Sequence, residues 1–243
     1  MRIRLDTQLV ERGLAPSREK AKRLILAGAV RTNGQVASKP SDLVDENARL
    51  EVAAAERFVS RGGYKLEAAM EAWKINCRDK VCADLGASTG GFTDCLLQRS
   101  ALRVHAVDVG KGQLDWKLRQ DKRVSVHDGL NARNLVESDL GEMADMVTID
   151  VSFISLQKVL AAAIGVLKPG GTLIALIKPQ FEAGRKLVGK GGVVRDPKVH
   201  EQIITTMTTF ATKAMGMQLV GVIDSPLLGP AGNKEFLMGL TKP

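Results

Sequence analysis

Asp84-Leu85-Gly86-Ala87-Ser88-Thr89-Gly90-Gly91-Phe92-Thr93 follows a short apolar run over residues 80–85 and leads into a helical pattern from about Gly91. Glycines placed after a strand let the backbone approach a ligand closely and leave the N–H groups of the next helix aimed at it. A dinucleotide loop would read G-x-G-x-x-G. Here the glycines are Gly86, Gly90 and Gly91, position 88 is a serine, and the lysine of a phosphate-binding loop is missing. A turn with helix-packing glycines is the plain alternative, but Asp84 stands at the head of the loop and gives it chemistry.

Working outward, short apolar runs end one after another in a charged residue. Residues 103–107 end at Asp108, 123–127 at Asp128, 146–149 at Asp150 and 172–177 at Lys178. Helical spacing is predicted over about 64–74, 155–167 and 198–215, with two final strands near 217–223 and 235–240. This alternation predicts a doubly wound parallel sheet, which binds ligands at the carboxyl edge of its strands. Asp84 is expected to accept from an α-amino group, Asp108 from ribose hydroxyls, and Asp128 to face an adenine amino group. Three acids at successive strand ends suit a cofactor that carries a sulfonium and an ammonium, as S-adenosylmethionine (SAM) does. They suit pyrophosphate poorly. The expected cofactor residues are Asp84, Gly86, Ser88, Gly90, Gly91, Phe92, Asp108 and Asp128.

The first 56 residues read differently. Leu5, Leu9 and Val10 share a helix face that stops near Gly13. Ser17 is placed to cap a second helix with Ala21, Leu24 and Ile25 as its stripe and Gly28 as its C-terminal stop. Residues 29–32 read as a strand, Asn33-Gly34 as a tight turn and Val36 as the return. Residues 1–39 carry nine Lys/Arg against three Asp/Glu, a net of +6, within a chain whose net charge is +8. Such a concentration suggests a polyanionic partner.

Arg4-Leu5-Asp6, Gly13-Leu14, Ser17-Arg18, Ala21, Leu24-Ile25, Gly28, Val30, Asn33-Gly34 and Lys39-Pro40 together resemble the alpha-L (S-four-type) RNA-binding fold. The resemblance implies that Arg4, Arg18, Lys20 and Arg23 grip RNA phosphates, contacts that position a protein but carry little sequence information. Only Phe58 and Tyr64 lie nearby as aromatics that could stack on a base, so base readout by this segment is not expected. Ala53 to Ala55, with Glu56 and Arg57, has the small, polar composition of a linker. The organisation expected is an RNA-binding domain over 1–56, a linker over 57–63 and a catalytic domain over 64–243.

The glycine loop resembles that of the FtsJ-type ribose methyltransferases. Ser60-Arg61-Gly62-Gly63-Tyr64-Lys65-Leu66, Ile149-Asp150-Val151-Ser152-Phe153-Ile154-Ser155, Ile177-Lys178-Pro179-Gln180-Phe181-Glu182-Ala183-Gly184-Arg185 and Gly189-Lys190-Gly191-Gly192-Val193-Val194-Arg195-Asp196 narrow the resemblance to the TlyA family, whose members are often labelled hemolysins. The resemblance covers essentially the whole chain. It implies a Rossmann-like SAM-dependent methyltransferase sheet behind a small α+β RNA-binding domain, acting on the 2'-hydroxyl of a cytidine in ribosomal RNA. The FtsJ-type catalytic Lys-Asp-Lys-Glu set carries over to Lys65, Asp150, Lys178 and Glu235. In that set Lys178 is the expected base, or a cation that only orients the hydroxyl while its proton leaves late, and Lys65 the neighbouring cation, with Asp150 orienting Lys178 and Glu235 holding Lys65. Amino methyltransferases usually carry Asn/Asp-Pro-Pro-aromatic where this chain has Asp150-Val151-Ser152-Phe153, so a base nitrogen is not the expected target. Family members active on both subunits tend to have a longer basic N-terminus. Arg4-Leu5-Asp6 comes early here, so large-subunit rRNA is expected.

Two other classes compete. A non-enzymatic RNA-binding assembly factor would not need the Lys/Asp/Lys/Glu set. A membrane-active hemolysin would need an apolar segment of ~18–20 residues or a strongly amphipathic helix, and neither is evident. Cys77, Cys82 and Cys95 follow no metal spacing, and His105, His127 and His200 are scattered, so no metal site is expected. With a charged N-terminus lacking an apolar core, a cytoplasmic protein is expected.

Overall fold

The computed structural model describes residues 2–53, 56–184 and 187–243. The chain divides into two compact units, Met1–Arg57 and Phe58–Pro243.

In the first unit, β1 (Arg2–Arg4) leads directly into α1 (Leu5–Glu11), and α2 (Arg18–Leu26) follows. Leu5, Leu9, Ala21 and Ile25 face one another with Val30 in a small buried core. Ser17 Oγ accepts from Lys20 N–H at 3.2 Å and so fixes the start of α2. The strands β2 (Val30–Thr32) and β3 (Gln35–Val36) flank a turn in which Asn33 and Gly34 both have positive φ, 50° and 83°. Two additional pairings complete the unit: β1 with β4 (Leu43–Asp45), and β2 with β5 (Leu50–Val52), both antiparallel. The sequence reading lacked β1, β4 and β5 because three-residue strands are too short for a period to show.

In the second unit, α3 (Gly62–Ala72) precedes β6 (Val81–Leu85), α4 (Gly91–Gln98), β7 (Arg103–Asp108), α5 (Trp116–Arg119), β8 (Val124–Asp128), α6 (Glu137–Leu140) and β9 (Ala144–Ile149). Then come α7 (Gln157–Gly165), β10 (Leu167–Ile177), α8 (Pro179–Glu182), α9 (Pro197–Thr209), β11 (Gln218–Asp224) and β12 (Phe236–Thr241). The seven strands lie in the order β11-β12-β10-β9-β6-β7-β8. The doubly wound sheet expected from the sequence is present, with β6 to β10 parallel, and its last strand β12 runs antiparallel to both β10 and β11. Residues 225–235 join β11 to β12 without a crossover helix, so the pair must run in opposite directions. Apolar clusters cover both faces of the sheet.

The chain steps outward from β6 to β7 and β8, then returns to lay β9 on the other side of β6. That reversal opens a crevice at the carboxyl ends of β6 and β9. Leu85 and Ile149 are paired there. The next residues, Gly86 and Asp150, abut so closely that a Cβ on Gly86 would lie 2.5 Å from the Asp150 carbonyl oxygen.

Residues 58–63, expected within a linker, pack as part of the second unit. Phe58 is 1% exposed in a cluster with Leu66 and Met70, and Gly62 and Gly63 already belong to α3. Phe58 lies where the Cβ of any larger residue at 63 would stand, 2.6 Å from its own Cβ. Of the stretch read as a linker further upstream, Ala54 and Ala55 lie outside the described residues.

Candidate active site

Two adjoining cavities open at the crevice, of about 350 and 260 Å³. They share Gly86, Ser88, Asp150 and Ser152 as a common wall. A pocket in an open α/β sheet, at the strand reversal and with a few convergent polar groups, is the expected form of a ligand site.

The larger cavity is lined by Gly86, Ser88, Asp108, Gln113, Leu130, Asn131 and the segment 150–154. Asp108 ends β7 and accepts from Ser88 N–H at 2.8 Å and Gly110 N–H at 2.7 Å. These two bonds hold its carboxylate at the rim and leave further lone pairs for a ligand. Asn131, also on this wall, accepts from Arg133 N–H through its Oδ1 at 3.1 Å.

Three expected cofactor residues sit elsewhere. Asp84 is fully buried and does not line either cavity. Its oxygens accept from Thr93 Oγ1 at 2.7 Å and Thr148 Oγ1 at 2.9 Å, tying the first turn of α4 to β9 across β6. Burial raises its pKa to about 6, against the opposing effect of the two threonine hydroxyls. Asp128 is turned to Arg119, 2.6 Å away, and to Gly112 N–H. The Arg119 guanidinium holds its pKa below the usual carboxylate range. On that side the cavity wall is Leu130 to Ala132 instead. Gly90 also stays off both walls. Its positive φ of 99° starts α4, and Leu114 and Leu118 pack against it.

The smaller cavity is lined by Ser60, Arg61, Lys65, Gly91, Phe92, Asp150, Ser152 and Lys178, among others. Lys178, the residue after β10, lies 2.6 Å from Asp150 Oδ1. This is a charge contact without hydrogen-bond alignment, since that oxygen has no aligned donor. Lys178 also donates to Ser152 Oγ at 2.8 Å. Lys65, on the first turns of α3, donates to Glu235 Oε2 at 2.5 Å. Glu235 is 1% exposed and Lys65 8%. Asn233 steadies the Glu235 segment: its amide accepts from Val194 N–H and donates to the Gly192 carbonyl. The crevice thus joins two lysine–carboxylate pairs, one from β9 and β10, one from α3 and β12.

Sequence reasoning passed over Ser152, Phe153, Asn131 and Asn233. Phe153 is 91% exposed at the rim, holds a positive φ of 63° and leans on Phe181, ring centroids 5.2 Å apart. A non-glycine residue in that conformation is strained, and such strain clusters at functional sites. The available signal was the segment 149–155 itself, already singled out as a motif. Phe58 and Tyr64 pack edge-on at 5.0 Å with Phe58 buried, so Phe58 is not a stacking surface.

In the first unit, Asp6 is buried and clamps two of the expected RNA-binding arginines. Arg4 donates to both its oxygens and Arg18 to one. The Arg4 guanidinium, with Arg18 behind it, lowers the Asp6 pKa to about 2. Lys20 and Arg23 are exposed and form no ion pair among the described residues. His105 and His127, scattered in sequence, meet at 3.0 Å across β7 and β8, with Glu142 3.2 Å from the other His105 nitrogen. Among the described residues no cluster of metal-ligating side chains forms, and no helix is long and apolar enough to cross a membrane.

The seven-stranded sheet, with its reversed last strand and glycine turn at the β6 edge, is that of the SAM-dependent methyltransferases. The chain belongs to the FtsJ-like methyltransferase family, whose model matches residues 58–242, and residues 3–50 match the S4 domain. It is 46% identical to the 16S/23S rRNA (cytidine-2'-O)-methyltransferase TlyA of Mycobacterium tuberculosis, over 98% of this chain and 90% of that one. It is 36% identical to the 23S rRNA (cytidine-2'-O)-methyltransferase TlyA of Campylobacter jejuni, over 74% and 70%. A solved structure of a hemolysin-labelled protein from Streptococcus thermophilus covers 99% of this chain and 88% of its own, at 43% identity and a TM-score of 0.76.

Proposed function

We propose that this protein methylates the 2'-hydroxyl of a cytidine in ribosomal RNA, with SAM as donor, in the cytoplasm where ribosomes are assembled. The observation that carries the reading is the shared wall between the two cavities: one has the acid and the apolar sides suited to a nucleoside cofactor, the other has both lysines. Large-subunit rRNA is the proposed substrate, since 23S rRNA is common to the names of both TlyA relatives.

The larger cavity fits the cofactor. Gly86 and Ser88 give close backbone approach, Asp108 would take the ribose hydroxyls, and Asn131 with Leu130 would flank the adenine. Asp84 acts from behind by fixing α4. When bound, SAM supplies an activated, electrophilic methyl group, so the protein must mainly position the hydroxyl and accept its proton.

Lys178 is the proposed base. A lysine takes up a proton only when neutral, and a free lysine titrates near ~10.4. Lys65, on the wall of the same cavity, is placed to steady the alkoxide as it develops. Asp150 and Ser152 orient the Lys178 amine; Glu235 holds Lys65. Phe153, exposed and strained at the rim, offers a face on which the target base can stack once it leaves its helix. Lys20, Arg23 and the Asp6-clamped Arg4 and Arg18 supply RNA affinity from the first unit.

The test is incubation of the purified protein with SAM and unmethylated 16S and 23S rRNA, with ribose methylation mapped by mass spectrometry. A 2'-O-methylcytidine in 23S rRNA is expected. Methyl incorporation on a base, or none in either RNA, would overturn the reading.

A further inference from the structure

The segment between β7 and β8 carries a feature that the reaction as described leaves unused. Residues 110–123 hold five Lys/Arg against two Asp, a net of +3. The chain's +8 less the +6 of residues 1–39 leaves only +2 for all of residues 40–243. The positive charge of this segment therefore stands out from the rest of its unit. Within it Arg119 is paired with Asp128 and Arg123 with Asp121. Lys111, Lys117 and Lys122 are exposed and form no ion pair among the described residues.

In the middle of these lysines stands Trp116, 62% exposed. Its outward aim is imposed by the core. Leu114 and Leu118, each 6% exposed, turn inward and close on Gly90. Trp116 is two positions from each, and residues two apart on a helical turn face opposite sides. The fold therefore needs no indole at 116. The turn is also fixed to the catalytic crevice. Asp115 N–H donates to the Thr89 carbonyl at 3.1 Å, and Thr89 lines the cavity that holds Lys65 and Lys178. Asp115 Oδ1 accepts from Lys117 N–H at 2.9 Å and keeps the turn closed.

An exposed aromatic face among unpaired cations, rigidly tied to the site, suits single-stranded nucleic acid: bases stack on the ring and phosphates take the ammonium groups. We propose that Trp116 is a stacking platform for an unpaired base of the rRNA strand next to the target nucleotide, with Lys111 and Lys117 taking the adjoining phosphates. This rests on the reading that rRNA is the substrate, and adds a second RNA-contacting surface on the methyltransferase unit.

The chain has two tryptophans, so Trp73→Phe leaves Trp116 as the sole indole reporter. Adding a 23S rRNA transcript to that full-length variant should quench its emission, because a stacked base quenches an indole. In the otherwise native chain, Trp116→Ala should raise KM for 23S rRNA roughly tenfold, and Trp116→Phe should restore most of the loss. SAM affinity and thermal midpoint should not move, since Trp116 is outside the core. An unchanged KM in Trp116→Ala, or Trp116 emission that bound rRNA leaves unaltered, overturns the platform. A wild-type protein that binds and is quenched by rRNA yet transfers no methyl would overturn the proposed reaction alone, because quenching requires binding and not chemistry.

Discussion

Lys65 Nζ and Glu235 Oε2 stand 2.5 Å apart in a nearly dry corner of the crevice, although 170 positions separate them in the chain. Lys65 comes in on α3 and Glu235 at the threshold of β12. A buried pair is weak evidence for stability, because desolvation offsets most of the attraction, but removing one partner strands the other. This asymmetry makes the pair testable.

Glu235→Gln leaves Lys65 buried without its counter-charge. Loss of a buried partner typically costs about 3–5 kcal/mol, so the variant should unfold at clearly lower denaturant and lose most methyl transfer. The double variant Lys65→Met with Glu235→Leu should recover much of the stability and none of the activity. Urea unfolding of the single and double variants decides this; a single variant as stable as wild type would mean that the pair is solvated.

Lys178 should be needed for the chemical step and not for assembly. Lys178→Ala should bind SAM and rRNA normally and transfer methyl ~10²–10⁴-fold more slowly, the usual cost of removing a general base. Lys178→Arg should fare little better, because guanidinium stays protonated. Single-turnover transfer at saturating SAM and rRNA is the measurement. A nearly active Lys178→Arg would assign Lys178 to orienting the hydroxyl as a cation.

Asp84 gives a pH signature. Its folded pKa is raised to about 6 by burial, so its contribution to stability is complete below the unfolded value of ~3.9 and is lost as pH rises through about 6. Asp84→Asn, which does not ionise, should therefore gain stability relative to wild type as pH rises from about 4 to about 6, by about 3 kcal/mol at most, with the difference level at higher pH. The same variant should weaken SAM binding, because the ties to Thr93 and Thr148 change, and leave rRNA binding intact. Thermal unfolding across pH and calorimetry with SAM test both halves; a difference that does not vary with pH would show that Asp84 does not titrate in this range.

Asp6 has the opposite sign. Its folded pKa is depressed to about 2, so its stabilisation is present above the unfolded value and disappears as pH falls through about 2. The two arginines are half-exposed, which screens the pair. Asp6→Asn should cost the first unit about 1 kcal/mol at pH 7, with the gap narrowing below pH 4. Denaturation at pH 7 and at pH 3 checks it.

The exposed cations of α2 should act through counterion release. Lys20→Ala with Arg23→Ala should weaken rRNA binding and flatten its dependence on salt, leaving SAM affinity unchanged. Binding titrations at several salt concentrations provide the slope. An unaltered slope would make this face an ordinary solvated surface.

Much of the architecture could be read from local pattern. The capping Ser17, the Asn33-Gly34 turn, the glycine loop after residue 85 and the strands ending at Asp108, Asp150 and Lys178 all lie at or near their expected positions. Each is set by neighbours within a few residues: a hydroxyl reaching a helix N–H, a φ that only certain residues tolerate, a run of apolar side chains.

The longer helices and strands, their order and the chemical type of residue at each strand end are legible in the chain alone, while three-residue strands such as β1, β4 and β5 are not. Which of those residues open onto the cavities is set by packing. Asp84 and Asp108 look alike as acids closing apolar strands, but Asp84 is turned inward onto Thr93 and Thr148, while Asp108 stays at the rim. Asp128 is drawn off by Arg119, Phe153 stands exposed at the rim with a strained backbone, and Glu235 reaches Lys65 only because β12 inserts between β10 and β11. The direction of a side chain depends on contacts made by residues far apart in the chain, and local propensity carries no information about them.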